Sequence, residues 1–369
     1  MKIGFDAKRI FHNQTGLGNY SRDTVRILAS FFPEHVYTLF NPKPGKIDRL
    51  TITDSMKIVH PTSFIWKKFS SIWRQKPIVK DLLSNDIEIY HGLTNELPRG
   101  IEKTNIKTVV TIHDLIFVRY PKLYSKIDQK IHFNKFKYAA NVADVVIAIS
   151  EQTKRDIVEF LGVSKEKVKV IYQGCHQAFK QDYSEKELEL VKEKYKLPER
   201  YILNVGTIEE RKNVLTLLKS VRDLNVSVVV VGRETKYAER VKYYIEKHKM
   251  EDRVFFLKGV EMQELAMIYK MASLFVYPSI FEGFGIPIIE ALYSKTPVIS
   301  STGSCFAEAG GPFSMYVNPT DSKGFRDRIS LVLENEELQK NMIEKGWEYV
   351  QQFNDKAIAT KMVNLYKSL

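Results

Sequence analysis

Two acidic residues, Glu282 and Glu290, flank the run Gly283-Phe284-Gly285-Ile286-Pro287-Ile288-Ile289. A carboxylate can accept paired hydrogen bonds from a vicinal diol, and glycine lets a backbone approach a small ligand closely. Glu290 sits in the apolar stretch Ile-Pro-Ile-Ile-Glu-Ala-Leu-Tyr. A charge buried there needs a partner. The plainer readings are a capping carboxylate for Glu282 and a solvated helix face for Glu290.

A second block reads Val205-Gly206-Thr207-Ile208-Glu209-Glu210-Arg211-Lys212-Asn213. It leaves an apolar run and opens a helical pattern. Cations are disfavoured near a helix start by about 0.3–1 kcal/mol each. Arg211 and Lys212 there make sense if an anion binds, and a diphosphate would gain both charge and amide donors. Otherwise the two side chains simply point to solvent. A third block, Thr111-Ile112-His113-Asp114-Leu115, follows an apolar strand. His113 and Asp114 either meet a substrate at that strand edge or satisfy local backbone as a cap. A fourth, residues 13–20, carries Gly16-Leu17-Gly18. It suits a phosphate at a helix N-terminus or an ordinary tight turn, and it lacks the Lys-Ser/Thr of a P-loop.

These blocks need elements that hold them. β-rich runs at residues 2–6, 35–40, 87–90, 107–112 and 144–149 alternate with helical stretches, the first at 19–31. The second half repeats the alternation, with strands at 201–205, 227–231, 254–256, 274–277 and 298–300 and helices at 211–222, 236–248, 262–271 and 286–294. Such βαβ order predicts two parallel sheets covered on both faces. Ligands of open parallel sheets sit at the carboxyl ends of the strands. Two domains facing each other across a cleft would then bind a two-part ligand. The expected division is residues 1–180 and 190–352, with the charge-dense segment 176–200 as the connection.

With 369 residues the chain has room for two domains. Its two cysteines cannot build a disulfide framework or a zinc site. No signal peptide or spanning stretch is read, so a cytoplasmic protein, peripheral to a membrane at most, is expected. The net charge of +12 is uneven: residues 1–180 hold 29 Lys and Arg against 17 Asp and Glu, and residues 181–369 hold 27 of each. The first domain is therefore expected to face an anionic surface or substrate, unless the excess merely solvates it.

Together the four blocks resemble the retaining glycosyltransferase family 4, of the GT-B fold, across nearly the whole chain. Within it they look like bacterial mannosyltransferases of polysaccharide and lipopolysaccharide assembly. The resemblance implies that the backbone at Gly16, Leu17 and Gly18 approaches the donor diphosphate, with Gly206 and Thr207 also on the donor. It makes Arg211 and Lys212 the stabilisers of the leaving diphosphate. It places Glu290 on the ribose, Glu282 with Gly283, Phe284 and Gly285 on the transferred sugar, and His113 beside that sugar. It implies a last helix, within residues 353–369, that crosses back to the first domain. It also implies no catalytic metal, and the sequence offers no Asp-x-Asp or His/Cys cluster. GDP-mannose is the favoured donor, ahead of a UDP-sugar, and no further cofactor is called for. Two departures stand out: Glu210 where relatives often carry Pro, and residues 302–312, which keep only Glu308 of the usual Pro-Glu pair.

The acceptor is read as a glycan or a lipid-linked glycan. Residues 64–83 place Trp66, Phe69 and Trp73 on one helical face, among Lys67, Lys68, Arg74 and Lys76. That stripe suits an interfacial membrane helix or, more commonly, core packing. Residues 126–137 repeat the basic and aromatic mixture. The rivals are a UDP-dependent glucosyl- or N-acetylhexosaminyltransferase, a nucleotide-sugar epimerase or a phosphorylase of the same fold, and a nucleic-acid-binding protein. The last is suggested only by basicity and has no recognition motif.

Overall fold

The computed structural model describes residues 1–45 and 49–369. The chain forms two compact units, Met1–Gln173 with Asn354–Leu369, and Gly174–Phe353. The chain passes between them at Gln173–Gly174, ahead of the segment expected to connect them. That segment instead contributes the helix Glu185–Tyr195, which opens with a reciprocal cap between Ser184 and Glu187 and buries only Val191. Its polarity is that of a surface helix.

The first unit holds a parallel sheet of β1 (Lys2–Asp6), β2 (Val36–Phe40), β3 (Met56–Val59), β4 (Ile89–Gly92), β5 (Lys107–Ile112), β6 (Val145–Ala148) and β7 (Val168–Val170), in the order 3-2-1-4-5-6-7. The second holds β8 (Tyr201–Val205), β9 (Ser227–Val231), β10 (Val254–Leu257), β11 (Leu274–Tyr277), β12 (Val298–Ser301) and β13 (Met315–Val317), in the order 10-9-8-11-12-13. Both are doubly wound, with the order reversing beside β1 and beside β8. Central strands such as β9 read as unbroken valine because helices cover both faces. The short edge strands β3, β7 and β13 escaped the sequence reading. Each is only three or four residues long.

The last helix, Asp355–Lys367, packs in the first unit's core. Ile358, Ala359, Met362, Val363 and Tyr366 join Val25 and Leu28 there, and Arg26 pairs with Asp355 at 2.8 Å. Tyr366 Oη lies 2.7 Å from Nδ1 of fully buried His91, whose Nε2 lies 2.8 Å from Thr111 Oγ1. Removing that hydroxyl would leave a buried imidazole nitrogen unpaired. Tyr366→Phe is expected to cost about 1–3 kcal/mol in urea unfolding. A change below a few tenths would mean the contact is incidental.

Residues 64–83 are not one helix but three: Phe64–Lys68, Ser70–Trp73 and Ile78–Ser84. The chain breaks at Phe69 (φ −105°, ψ 47°) and again ahead of Pro77. The expected common face therefore splits. Trp73 is fully buried, Trp66 packs partly on the same core, and Phe69 is exposed.

Candidate active site

Gly16, Leu17 and Gly18 are not in a loop. They form the first turn of the helix Gly16–Phe31, behind a short helix Lys8–His12. Asn13 takes the capping role, its Oδ1 accepting from the amides of Thr15 (2.9 Å) and Gly18 (3.1 Å). A Cβ on Gly18 would fall 2.0 Å from the Asn13 carbonyl oxygen, so packing demands glycine there; a Cβ on Gly16 would meet nothing. Among the described residues the Gly16 and Leu17 amides make no hydrogen bond, as first-turn amides do without a partner.

His113 follows β5 and is 5% exposed. Its Nε2 donates to the Leu93 carbonyl at 2.9 Å, and the Tyr20 ring meets its edge at 4.6 Å. Burial lowers its pKa to about 4. The imidazole is therefore neutral near pH 7, with Nδ1 left as an acceptor. Asp114 caps the next turn, accepting from the Ile116 amide at 3.1 Å.

In the second unit, β8 is followed by Gly206, whose φ of +148° suits glycine. Glu210–Lys212 form a 3-10 turn, so Arg211 and Lys212 precede the helix Val214–Val221 rather than opening it. Asn213, left-handed at φ 58°, ties this turn down by donating to the carbonyls of Pro278 (3.0 Å) and Pro319 (2.7 Å). The loop after β11 then brings Glu282 to both cations. Its Oε2 is 2.6 Å from Arg211 Nη1 and its Oε1 is 2.8 Å from Lys212 Nζ. Oε1 also accepts from Ser279 Oγ (2.5 Å) and Tyr277 Oη (3.1 Å). Arg211 makes a second pair with Glu209 at 2.7 Å, and Lys212 Nζ lies 5.0 Å over the Tyr277 ring.

Burial alone would raise the Glu282 carboxyl, but Lys212 and then Arg211 outweigh it and bring it to about 2. Arg211 is held above its ordinary value by Glu282 and Glu209 although burial opposes its charge. Glu282 and Glu209 supply the counter-charge expected of a bound anion, so the two cations are compensated within the protein.

Glu290 lies in the helix Ile286–Tyr293 and is 7% exposed. It accepts from Tyr269 Oη at 3.1 Å and pairs with no cation among the described residues. Burial pushes its pKa to about 7 against the Tyr269 hydrogen bond and the field of Lys212. A carboxyl raised from 4.5 to about 7 by folding destabilises the fold as it ionises. This group alone should remove about 3 kcal/mol as pH rises through that window, against the opposite contributions of His91 and His113, whose imidazoles are held low by burial. Glu290→Gln should remove that falling component, so that stability in urea unfolding between about pH 5 and about pH 8 rises more with pH in the variant than in the unaltered protein. An equal slope in both proteins would overturn the assignment.

The structure thus brings Arg211, Lys212 and Glu282 into one contact, with Glu290 within the field of Lys212. Gly206 lies against the Lys212 side chain, 3.5 Å from where a Cβ would sit. Beside them the carboxyl ends of β8, β9 and β10 open into a cavity of about 570 Å³ lined by Gly206, Thr207, Gly232, Arg233, Lys258 and Gly259. The sequence reading missed Gly232, Arg233 and Lys258. A signal existed, since Val231-Gly232 repeats Val205-Gly206 at the adjacent strand end. A Cβ on Gly232 would fall 1.9 Å from the Gly206 carbonyl oxygen.

Two doubly wound parallel units and the returning helix are those of the GT-B fold. Residues 185–348 match the family described as Glycosyl transferases group 1, and residues 15–178 match Glycosyltransferase Family 4; the chain belongs to these glycosyltransferases. It is 35% identical over 224 residues to the O-antigen chain mannosyltransferase RfbU of Salmonella typhimurium, covering 60% of this chain and 59% of that protein. It is 24% identical to the O-antigen chain mannosyltransferase B of Escherichia coli over all of both chains. Among solved structures, the sucrose-phosphate synthase of Thermosynechococcus elongatus shares the fold at TM-score 0.80 and 22% identity, covering 100% of this chain and 98% of that one. The Anabaena protein HepE, solved with UDP, shares it at TM-score 0.77 and 17% identity over the whole of both chains.

Proposed function

We propose that this enzyme is a retaining mannosyltransferase of cell-surface polysaccharide synthesis, moving mannose from GDP-mannose to a glycan or lipid-linked acceptor. The observation that carries the donor side is the contact of Arg211, Lys212 and Glu282 beside buried Glu290. The mannosyl reading leans on what the Salmonella and Escherichia relatives are named for.

Arg211 and Lys212 face the leaving diphosphate. In the first unit the unbonded amides of Gly16 and Leu17 offer donors to a phosphate. Gly206 and Thr207 line the donor cavity. A carboxylate has about four acceptor sites; on Glu282 three donors crowd Oε1 and Arg211 takes one site of Oε2, which leaves one toward the sugar. Glu282 therefore chiefly holds the two cations in place, and the backbone at Gly283, Phe284 and Gly285 approaches the transferred sugar. Glu290 has acceptor sites to spare and takes the ribose hydroxyls. His113 offers neutral Nδ1 to a sugar hydroxyl. As the anomeric bond breaks with oxocarbenium character, charge collects on the diphosphate, where the two cations act most strongly. The acceptor attacks from the same face and its proton passes to that phosphate. No step in this reading uses a metal.

A thermal-shift panel tests the donor: GDP-mannose should raise Tm more than UDP-sugars do. A larger shift with UDP-glucose or UDP-N-acetylhexosamines would favour the UDP-dependent alternative.

The acceptor side is read as peripheral to the inner face of an anionic cytoplasmic membrane. No helix among the described residues is long and apolar enough to cross one. Phe64 is 81% and Ile127 73% exposed, Ile65, Phe69, Ile72 and Ile131 are also exposed, and Lys67, Lys68, Lys126 and Lys130 lie among them. Apolar insertion beside lysines matches an anionic lipid surface. Phe64→Ser with Ile127→Ser is expected to abolish flotation with phosphatidylglycerol vesicles. Binding that ignores lipid charge would overturn this reading.

A further inference from the structure

A small cavity at the carboxyl ends of β1 and β4 belongs to none of the groups assigned above. It holds about 80 Å³ and is lined by Asp6, Arg74, Tyr90, Glu96, Lys135 and Tyr138, with Arg99 at its edge. That is room for a cluster of waters or for phosphoryl oxygens. Its floor is a buried ion pair. Arg74 Nε lies 3.1 Å from both oxygens of Asp6, and its Nη2 bonds Asp6 and reaches Glu96 at 3.3 Å. Lys135 holds the other oxygen of Glu96 at 3.1 Å. At the far side Tyr138 donates to Glu102 at 2.8 Å beneath the Arg99 guanidinium. Half-buried Lys8 feels Arg74 and Arg9 and makes no ion pair among the described residues. Arg74, Arg99 and Lys135 thus line the cavity against Asp6 and Glu96, whose oxygens are already engaged by Arg74 and Lys135.

Two elements lead into this cavity from exposed apolar surface. Ile127, Ile131, Lys135 and Tyr138 are spaced four, four and three apart on the helix Lys126–Val142, one stripe passing from apolar to cationic. Exposed Phe69 and Ile72 precede Arg74 on the other side. A ligand that follows both surfaces carries an apolar tail and then an anion.

We propose that this cavity, floored by Asp6 and Arg74 and rimmed by Lys135 and Arg99, binds the diphosphate that joins lipid to glycan in a lipid-linked acceptor. The assignment rests on the glycosyltransferase reading and names the chemistry of its acceptor. Arg74 and Asp6 fix the floor, while Lys135 and Arg99 supply the charge that meets the phosphoryl oxygens.

The test uses the full-length enzyme and phosphatidylcholine vesicles carrying a small fraction of polyprenyl diphosphate, with phosphatidylglycerol vesicles and inorganic pyrophosphate as comparisons. Lys135→Gln and Arg99→Gln change partly or fully exposed side chains and leave the Asp6–Arg74 pair in place. Each is expected to weaken binding to the polyprenyl diphosphate vesicles about tenfold and to leave phosphatidylglycerol binding unchanged. Arg74→Gln is expected to lose more, and circular dichroism separates that loss from unfolding. Unaltered affinity in the Lys135 and Arg99 variants, an equal loss on phosphatidylglycerol, or a loss confined to inorganic pyrophosphate would each overturn the proposal. Donor hydrolysis without acceptor keeps the two readings apart. If the unaltered enzyme hydrolyses no sugar nucleotide, the glycosyltransferase reading fails; if it does and the variants bind normally, only the cavity's assignment fails.

Discussion

Lys212→Ala and Arg211→Ala are each expected to lower kcat for sugar transfer by roughly 10²–10³-fold, with a smaller change in KM. Both side chains are mostly buried, at 15% and 16% exposure, so little water screens their charge. Both are fixed before any ligand arrives: Lys212 by Glu282 and Tyr277, Arg211 by Glu282, Glu209 and the Phe281 carbonyl at 2.6 Å. Preset donors of this kind need no reorganisation as charge develops on a leaving diphosphate, which is why their loss falls on kcat. Steady-state kinetics with saturating donor would check it. Rates within about threefold of the unaltered enzyme would reduce the pair to a structural ion cluster.

The second large effect is expected at Glu282. Glu282→Ala removes the shared counter-charge from two buried cations, and breaking such a pair costs about 3–5 kcal/mol. Its pH dependence has a definite sign. The carboxyl falls from 4.5 to about 2 on folding. Its stabilising contribution is thus fully present above about pH 4.5 and is lost as pH falls through about 2. Urea unfolding at neutral and acid pH should show a large deficit in the variant at pH 7 that narrows on acidification. Activity should fall as well, because Arg211 and Lys212 lose their fixed positions. A variant as stable as the unaltered protein at pH 7 would show that the cations hold one another's surroundings in place without Glu282.

Glu282 and Glu290 titrate in opposite directions although eight positions apart in sequence. Glu282 meets two cations and two hydroxyls, and Glu290 meets one hydroxyl. Both are buried, so the partners decide. Nothing in the sequence distinguishes them on this point, because Tyr269, Tyr277 and Ser279 become partners only through the packing of the helix Met262–Met271 and the turn after β11.

The sequence by itself determined the alternation of strands and helices, the two parallel sheets and the blocks that gather at strand ends. Hydrophobic periodicity and runs of valine are local, and burial on both faces of a sheet leaves few other solutions for them. The family resemblance put Arg211, Lys212 and Glu282 on one donor, but the adjacency of β8 and β11 that brings their carboxyl-end loops together came from the tertiary structure. Tertiary packing alone settled the rest. It put the counter-charge of Glu282 and Glu209 on the two cations, placed Gly16 and Gly18 in a helix rather than a loop, and split residues 64–83 into buried Trp73 and exposed Phe69. It also closed the cavity over Asp6 and Arg74. These depend on which side chains meet across distant segments, and the free energy of a buried charge is set by those partners rather than by its neighbours along the chain.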